Sequence, residues 1–301
     1  MQKREFDYCI IDEASQITLP TCIGPLRYAK KFVLVGDVYQ LPPIVRNKEA
    51  NEGGLDKSLF AILAEARPES VSYLEYQYRM NREIMEVSNM LIYDGKLKCG
   101  NYQVASKIMQ IPQLDAGLKS MHANSNCSLI ESSNCWLRSV LDPSKKVVFV
   151  NTDELTCKES RPLGSFLQNE GEAQLIYQVT ETLLKSGIDE QDLAVISVYR
   201  SQLRVISQLL KSRQNIEVAT IDKYQGRDKD CILISLVRNN NQGNAGDLLR
   251  DWRRLNVAIT RAKSKLILFG SASTLKASAL YSQLIESFEK KGWVKFYYIF
   301  I

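Results

Sequence analysis

The chain has 301 residues, 45% hydrophobic and 24% charged, with a net charge of +5. Those values suit one large or two ordinary globular domains, and the mild basicity permits nucleic-acid binding without requiring it. Seven scattered cysteines without a CxxC pair and a single histidine argue against structural zinc or an iron–sulfur cluster within the chain, and for reduced, packed thiols in an intracellular protein.

Residues 1–8 (MQKREFDY) lack the apolar core of a signal peptide. No run approaches the ~18 apolar residues of a membrane span. Apolar runs at 6–11, 31–36, 71–74, 146–151, 192–198, 216–221, 230–236 and 264–270 predict strands. Helical patterns fall at 56–65, 81–92, 169–186, 200–212, 247–260 and 279–290. The alternation predicts an α/β fold with parallel sheets, and the continuous apolar runs predict strands covered on both faces. A break falls at Ala66–Glu69. Residues 1–66 hold too few strands for a complete open sheet, whereas 67–291 hold enough, so an incomplete α/β domain followed by a complete one is expected. Residues 100–145, without clear periodicity, read as an insertion or long loop, with His122 a solvated loop residue. Residues 292–301 form an apolar tail of unknown role, too short to span a membrane.

The chemistry clusters where strands end. Asp12 and Glu13 follow the run Tyr8–Ile11. Such a pair can coordinate Mg²⁺ and orient a water beside a nucleoside triphosphate, or simply cap a helix. Asp37 and Gln40, in Gly36-Asp-Val-Tyr-Gln-Leu-Pro-Pro43, follow the next strand, at the edge where ligands of open α/β sheets collect. Arg79, in Gln77-Tyr-Arg-Met80, could reach a phosphate or form a surface salt bridge. Tyr199 and Arg200 follow one later strand, and the stretch Thr220 to Asp228, with Gln225 and Gly226, follows another. In Arg253–Lys263, helical spacing places Asn256, Thr260 and Lys263 on one face and Arg254 and Arg261 on another. The arginine stripe suits a polyanion or a solvated face equally.

In this order DEASQ, GDxxQLPP, QYRM, YRxQ, TxDxYQGxDxD and RRLNVAITRAK resemble the motifs of superfamily 1 helicases, in the branch of the nonsense-mediated-decay helicase. The text is most similar to the helicase half of the Dna-two family, the eukaryotic DNA replication ATP-dependent helicase/nucleases. The resemblance implies a P-loop-NTPase, RecA-like fold. It implies ATP and Mg²⁺ as cofactors, with Asp12 on the metal, Glu13 as base and Gln40 sensing the γ-phosphate. Arg79 and Arg261 would be the trans-acting arginines of the second domain. Asp37, Gln225, Gly226 and Asp228 would line the nucleotide site, and Thr220, Tyr199 and Arg200 would lie along single-stranded DNA. A family of this kind moves 5′ to 3′ in the nucleus, with the mitochondrion as an alternative. It works in Okazaki fragment processing and end resection beside a single-strand-binding protein and other replication proteins, and its nuclease domain carries a 4Fe–4S cluster. RNA as the substrate, or a catalytically inactive binding module, are the competing readings.

A P-loop reads Gly-x₄-Gly-Lys-[Ser/Thr], and the nearest string, Gly270–Ala277, lacks the second glycine and the hydroxyl. The 301-residue chain is therefore expected to hydrolyse little ATP. DNA-stimulated turnover by the purified chain, abolished by Glu13→Gln, would overturn this.

Overall fold

The strongest apolar runs become the strands of two separate sheets. In the computed structural model, residues 5–122, 135–156, 158–162, 164 and 166–296 are described, and they divide into two compact units, Met1–Leu74 and Glu75–Ile301. Cys127, Cys157 and the last five residues of the expected tail lie outside the described set. Among the described residues no helix is long and apolar enough to cross a membrane.

In the amino-terminal unit, β1 (Phe6–Ile11) and β2 (Ala29–Leu34) pair in parallel, with Ile11 opposite Leu34. Helix Leu19–Leu26 makes the crossover. Helix Leu59–Ala66 starts where the Ser58 hydroxyl accepts the Ala61 N–H. Phe6, Tyr8 and Ile10 alternate onto one exposed face of the pair.

The second unit holds a six-stranded, wholly parallel sheet. Its strands are β5 (Val147–Asn151), β6 (Leu193–Ser197), β7 (Glu217–Thr220), β8 (Lys229–Ser235), β9 (Ala262–Gly270) and β10 (Val294–Phe296), in the spatial order β10-β5-β9-β8-β6-β7. Two short strands, β3 (Tyr76–Gln77) and β4 (Lys98–Cys99), pair beside it. The central strands are buried along their apolar stretches, as an α/β sheet with both faces covered requires. Leu175, Ile176, Val179 and Leu183 of helix Glu170–Lys185 share one core with Val148, Val195 and Leu233. Tyr281, Leu284, Ile285 and Phe288 are the buried stripe of helix Ala279–Lys290.

Four expectations are corrected. Residues 71–74 form no strand; Pro68–Ser70 is a 3₁₀ turn, and pairing begins at Tyr76. Residues 100–145 are not a long loop: helices Tyr102–Ala105, Leu114–His122 and Trp136–Leu141 occupy the described part. Each is too short to show a period, yet Leu118, Leu137, Val140 and Leu141 join the core. His122 is half-buried rather than solvated; its Nε2 lies 3.4 Å from Cys135 Sγ, and burial lowers its pKa. The pattern at 247–260 breaks at Asp251, whose carboxylate accepts the Arg253 N–H and starts a new helix, Trp252–Ile259. That helix stops at Ile259, so Arg261 and Lys263 do not share its faces.

Gly117 is the point where the expected loop meets the core. A Cβ there would stand 2.0 Å from Ser186 Oγ and 2.9 Å from the Thr182 carbonyl. Gly117→Ala should therefore cost about 1–3 kcal/mol in urea unfolding, as overpacking does. An unchanged midpoint would mean that this helix is not docked.

Candidate functional site

The amino-terminal unit gathers its acids at the carboxyl ends of β1 and β2. The Val35 N–H donates to the Ile11 carbonyl and the Ala14 N–H to the Val35 carbonyl, so the two strand-following loops are laced together. Gly36 allows this approach: a Cβ would lie 2.9 Å from Ser15 N. Asp12 accepts the Glu13 N–H at 2.8 Å, and Glu13 Oε2 accepts the Gln16 amide at 2.6 Å. Glu13 itself has φ 50, a left-handed backbone that a non-glycine residue adopts only when its surroundings impose it. Asp37 accepts the Tyr39 N–H at 2.9 Å and the Gln40 amide at 3.0 Å. Asp12 and Glu13 are exposed, while Asp37 and Gln40 are half-buried. The donor set is carboxylate and amide oxygen, the hard ligands that suit Mg²⁺.

In the second unit the expected residues separate onto opposite ends of the sheet. At the amino-terminal ends of β8 and β9, Arg79 Nε donates to Asp228 Oδ2 at 3.1 Å and Nη1 to the Thr260 carbonyl at 3.2 Å. Lys263 Nζ meets the other oxygen of Asp228 at 2.5 Å. Burial pushes the Asp228 pKa up, but the hydrogen bond and charge of Lys263, then those of Arg79, outweigh it and hold the carboxyl below its ordinary range. Arg79 is aimed by Gln77, whose Oε1 accepts the Arg79 and Met80 N–H groups. Arg261 is only 2% exposed. Its guanidinium donates to the Val257 carbonyl (3.0 Å), the Arg227 carbonyl (3.4 Å) and the Thr260 hydroxyl (2.8 Å). Gly226 supplies φ +81 in the loop that returns from β7 to Asp228, and Gln225 lies at the same bend. Two cations, Arg79 and Lys263, share the one Asp228 carboxylate, and Arg261 is tied to the same corner through Thr260, which leaves it positive as an anion site needs. Lys263 was not among the expected site residues; its place in β9 beside Asp228 becomes visible only once the helix ends at Ile259.

Tyr199, Arg200 and Thr220 lie at the opposite, carboxyl-terminal end, where Ser197 pairs with Thr220 in register. Arg200 is exposed at the start of helix Arg200–Leu209, and Thr220 is half-buried. Burial raises the Tyr199 pKa against the opposing hydrogen bond from Arg238. Close by, the wholly buried Glu172 accepts the Ser235 hydroxyl at 2.5 Å and the Val237 N–H at 3.0 Å. Burial pushes its pKa up to about 8 in spite of those bonds.

A family model described as "AAA domain" matches residues 55–273, and a second model of the same description matches residues 1–48. The chain is 48% identical over 292 residues to the DNA replication ATP-dependent helicase/nuclease dna2 of Schizosaccharomyces pombe, covering 97% of this chain and 20% of that protein. It is 44% identical to the protein of that name in Saccharomyces cerevisiae, over 98% of this chain and 19% of that one, and 49% identical to that of Mus musculus, over 91% and 25%. The chain thus spans a fifth to a quarter of the length of these relatives.

Glu172 gives the second unit a pH signature. Its carboxyl has a pKa of about 8 when folded, against the ordinary 4.5, so the folded state keeps a proton that the unfolded state loses. The stability it contributes is complete below pH 4.5 and lost as pH rises through about 8. Glu172→Gln should therefore gain on the unsubstituted chain by about 1.4 kcal/mol per pH unit across that window. Melts at pH 5, 7 and 8.5 in which the two proteins keep a constant gap would contradict the assignment.

Proposed function

The chain belongs to the AAA-domain family, and on that premise we propose that it is the helicase part of an ATP-dependent DNA helicase/nuclease, coupling ATP hydrolysis to 5′–3′ movement on single-stranded DNA in replication and repair. Okazaki fragment processing and end resection are the reactions such an enzyme serves, and the nucleus is where it would act. The relatives carrying these names are matched across nearly all of this chain. The observation that carries the reading is the convergence of Asp12, Glu13, Asp37 and Gln40 at the carboxyl ends of a parallel pair, with Glu13 held in a left-handed backbone.

Each residue has a role that its surroundings support. Asp12 and Asp37 fit Mg²⁺, which when bound neutralises phosphate charge. Glu13 accepts a proton from the attacking water, and Gln16 fixes one of its oxygens so that the other faces a defined direction. Gln40, bonded to Asp37, senses the terminal phosphate. In the second unit Arg79 serves phosphate with a guanidinium about one-third exposed and oriented by Asp228 and Gln77. Arg261 sits behind it through Thr260 and steadies the Arg79 corner. Gln225 and Gly226 shape the loop that carries Asp228, and Thr220, Tyr199 and Arg200 serve the strand at the far end of the sheet.

The test is ATP turnover on single-stranded DNA by a protein carrying this chain together with a P-loop. Glu13→Gln is expected to lower turnover by ~10³-fold or more while strand affinity stays unchanged. Arg79→Ala should do the same, since an arginine of this kind commonly contributes ~10³-fold or more. Loss of strand binding in step with turnover would move either residue from the nucleotide to the nucleic acid.

A further inference from the structure

A cavity of about 440 Å³ opens at the carboxyl end of the second unit's sheet, and its wall includes Arg161, Tyr199, Arg238 and Arg250. We propose that this cavity seats a backbone phosphate of the bound single strand. Arg161 and Arg250 contact the phosphate, and Arg238 is a positioning residue that holds Tyr199. The proposal rests on the reading that the chain binds a strand, and it names residues that the sequence motifs do not contain.

Charge is the first support. Three guanidinium groups line the cavity, and the one carboxylate in its wall, Asp247, has a 98% exposed side chain 3.4 Å from Arg250. Among the described residues Arg161 has no carboxylate within ion-pair distance. Glu159 lies against Arg238 and balances its charge: it accepts from Arg238 Nε at 2.9 Å, the Asn239 N–H at 2.9 Å and the Asn240 amide at 3.0 Å. With Glu159 set against Arg238 and Asp247 against Arg250, Arg161 is the surplus charge of the cavity, a planar cationic donor of the kind that matches phosphate oxygens.

The backbone beneath is built to hold that arrangement. Val237 has φ 70, a conformation that a β-branched residue adopts only at a cost of about 1–3 kcal/mol. The Arg238 N–H closes a three-residue turn onto the Leu236 carbonyl at 2.7 Å, and the Glu172 carboxyl receives the Val237 N–H. Strain of this kind persists where a side chain must be aimed, and the side chain aimed here is Arg238, 5% exposed and hydrogen-bonded to Tyr199. Gly246 makes the space: a Cβ there would meet Arg238 Nη1 at 2.2 Å and the Tyr199 hydroxyl at 3.1 Å. Asn240 and Asn244 order the rim, with Asn240 Oδ1 accepting the Asn244 N–H at 3.0 Å and Asn244 Oδ1 accepting the Gly246 N–H at 2.9 Å.

The source of the phosphate, a strand or a free nucleotide, is separated by experiment. Fluorescence anisotropy of a labelled oligothymidine with the full chain is followed between about 50 and 200 mM KCl, for the unsubstituted protein and for the double variant Arg161→Gln/Arg250→Gln. Removing the one phosphate contact that Arg161 and Arg250 share should make the salt dependence of the double variant shallower by about 0.7 in the log–log slope. Gly246→Ala should weaken binding without removing a charge, by displacing Arg238 and Tyr199. An unchanged slope in the double variant overturns the proposal and leaves the strand-binding reading intact. Failure of the unsubstituted chain to bind any strand overturns both. Calorimetric binding of inorganic phosphate or ATP that the double variant abolishes, with the strand slope unaltered, assigns the cavity to a free nucleotide and also overturns it.

Discussion

The parallel register of the six-stranded sheet sets everything else in the second unit. With all strands pointing one way, each loop that follows a strand emerges at one edge and each loop that precedes one emerges at the other. Tyr199 follows β6, Thr220 ends β7 and Arg238 follows β8, so all three belong to the carboxyl edge. Asp228 precedes β8 and Arg261 precedes β9, so they meet at the amino edge, where Lys229 pairs with Ala262. The two charge clusters are thus separated by the length of the sheet, and no side-chain rotation could merge them. Each end of the sheet then holds its own cluster of cations, kept apart as long as the strands between stay rigid. Their near-total burial is what secures that rigidity.

Within the amino-edge cluster, burial divides labour between two arginines that look alike in sequence. Arg79 keeps a side chain about one-third exposed and spends two of its donors on Asp228 and Thr260. Arg261 is almost wholly enclosed and donates to two backbone carbonyls and a hydroxyl. A guanidinium has five N–H donors, so Arg79 retains unspent ones at the surface while Arg261 is largely consumed internally. Reaching a phosphate would require Arg261 to abandon bonds that are costly to break when buried. Its contribution in this arrangement is to fix Thr260, and through the Thr260 carbonyl, Arg79.

The strands were legible because both faces of the sheet are covered, which turns each strand into an unbroken apolar run such as Val147–Val150 or Ile232–Ile234. The acids of the amino-terminal unit were legible because each follows an apolar run, although β1 and β2 are not covered on both faces as the runs predict: Phe6, Tyr8, Ile10, Phe32 and Val33 are exposed. Elements of six to nine residues, such as Trp136–Leu141 and Leu114–His122, were not. Two turns hold too few apolar positions to define a period, though their side chains complete the core. Lys263 was misplaced because the helical spacing runs on through Thr260, whereas the Thr260 hydroxyl folds back onto the Asn256 carbonyl at 2.8 Å and the chain turns into β9. Arg238 had no local signal at all. Its environment depends on Glu159 far upstream and on Gly246 downstream, which the fold alone brings together.

Backbone strain marks both units in the same way. Three non-glycine residues among those described have positive φ: Glu13, Asp94 and Val237. Asp94 merely ends the π-turn Asn89–Tyr93. Glu13 and Val237 each stand two residues past the last residue of a parallel strand, Ile11 and Ser235 respectively. At that offset a left-handed residue stops the strand's extension and bends the chain across the sheet edge, so that a neighbouring side chain meets the ligand side. In the first unit the strained residue is itself the acid; in the second it precedes the arginine. Both are held by hydrogen bonds, Glu13 by the Asp12 carboxylate and Val237 by the Glu172 carboxyl. A glycine at either position would relieve the strain, but it would also loosen the chain on which the functional group depends. At position 13 it would remove that group as well. Stored strain is therefore the cost of aiming charge at a sheet edge, and it falls where the sequence places its acids and its buried arginine.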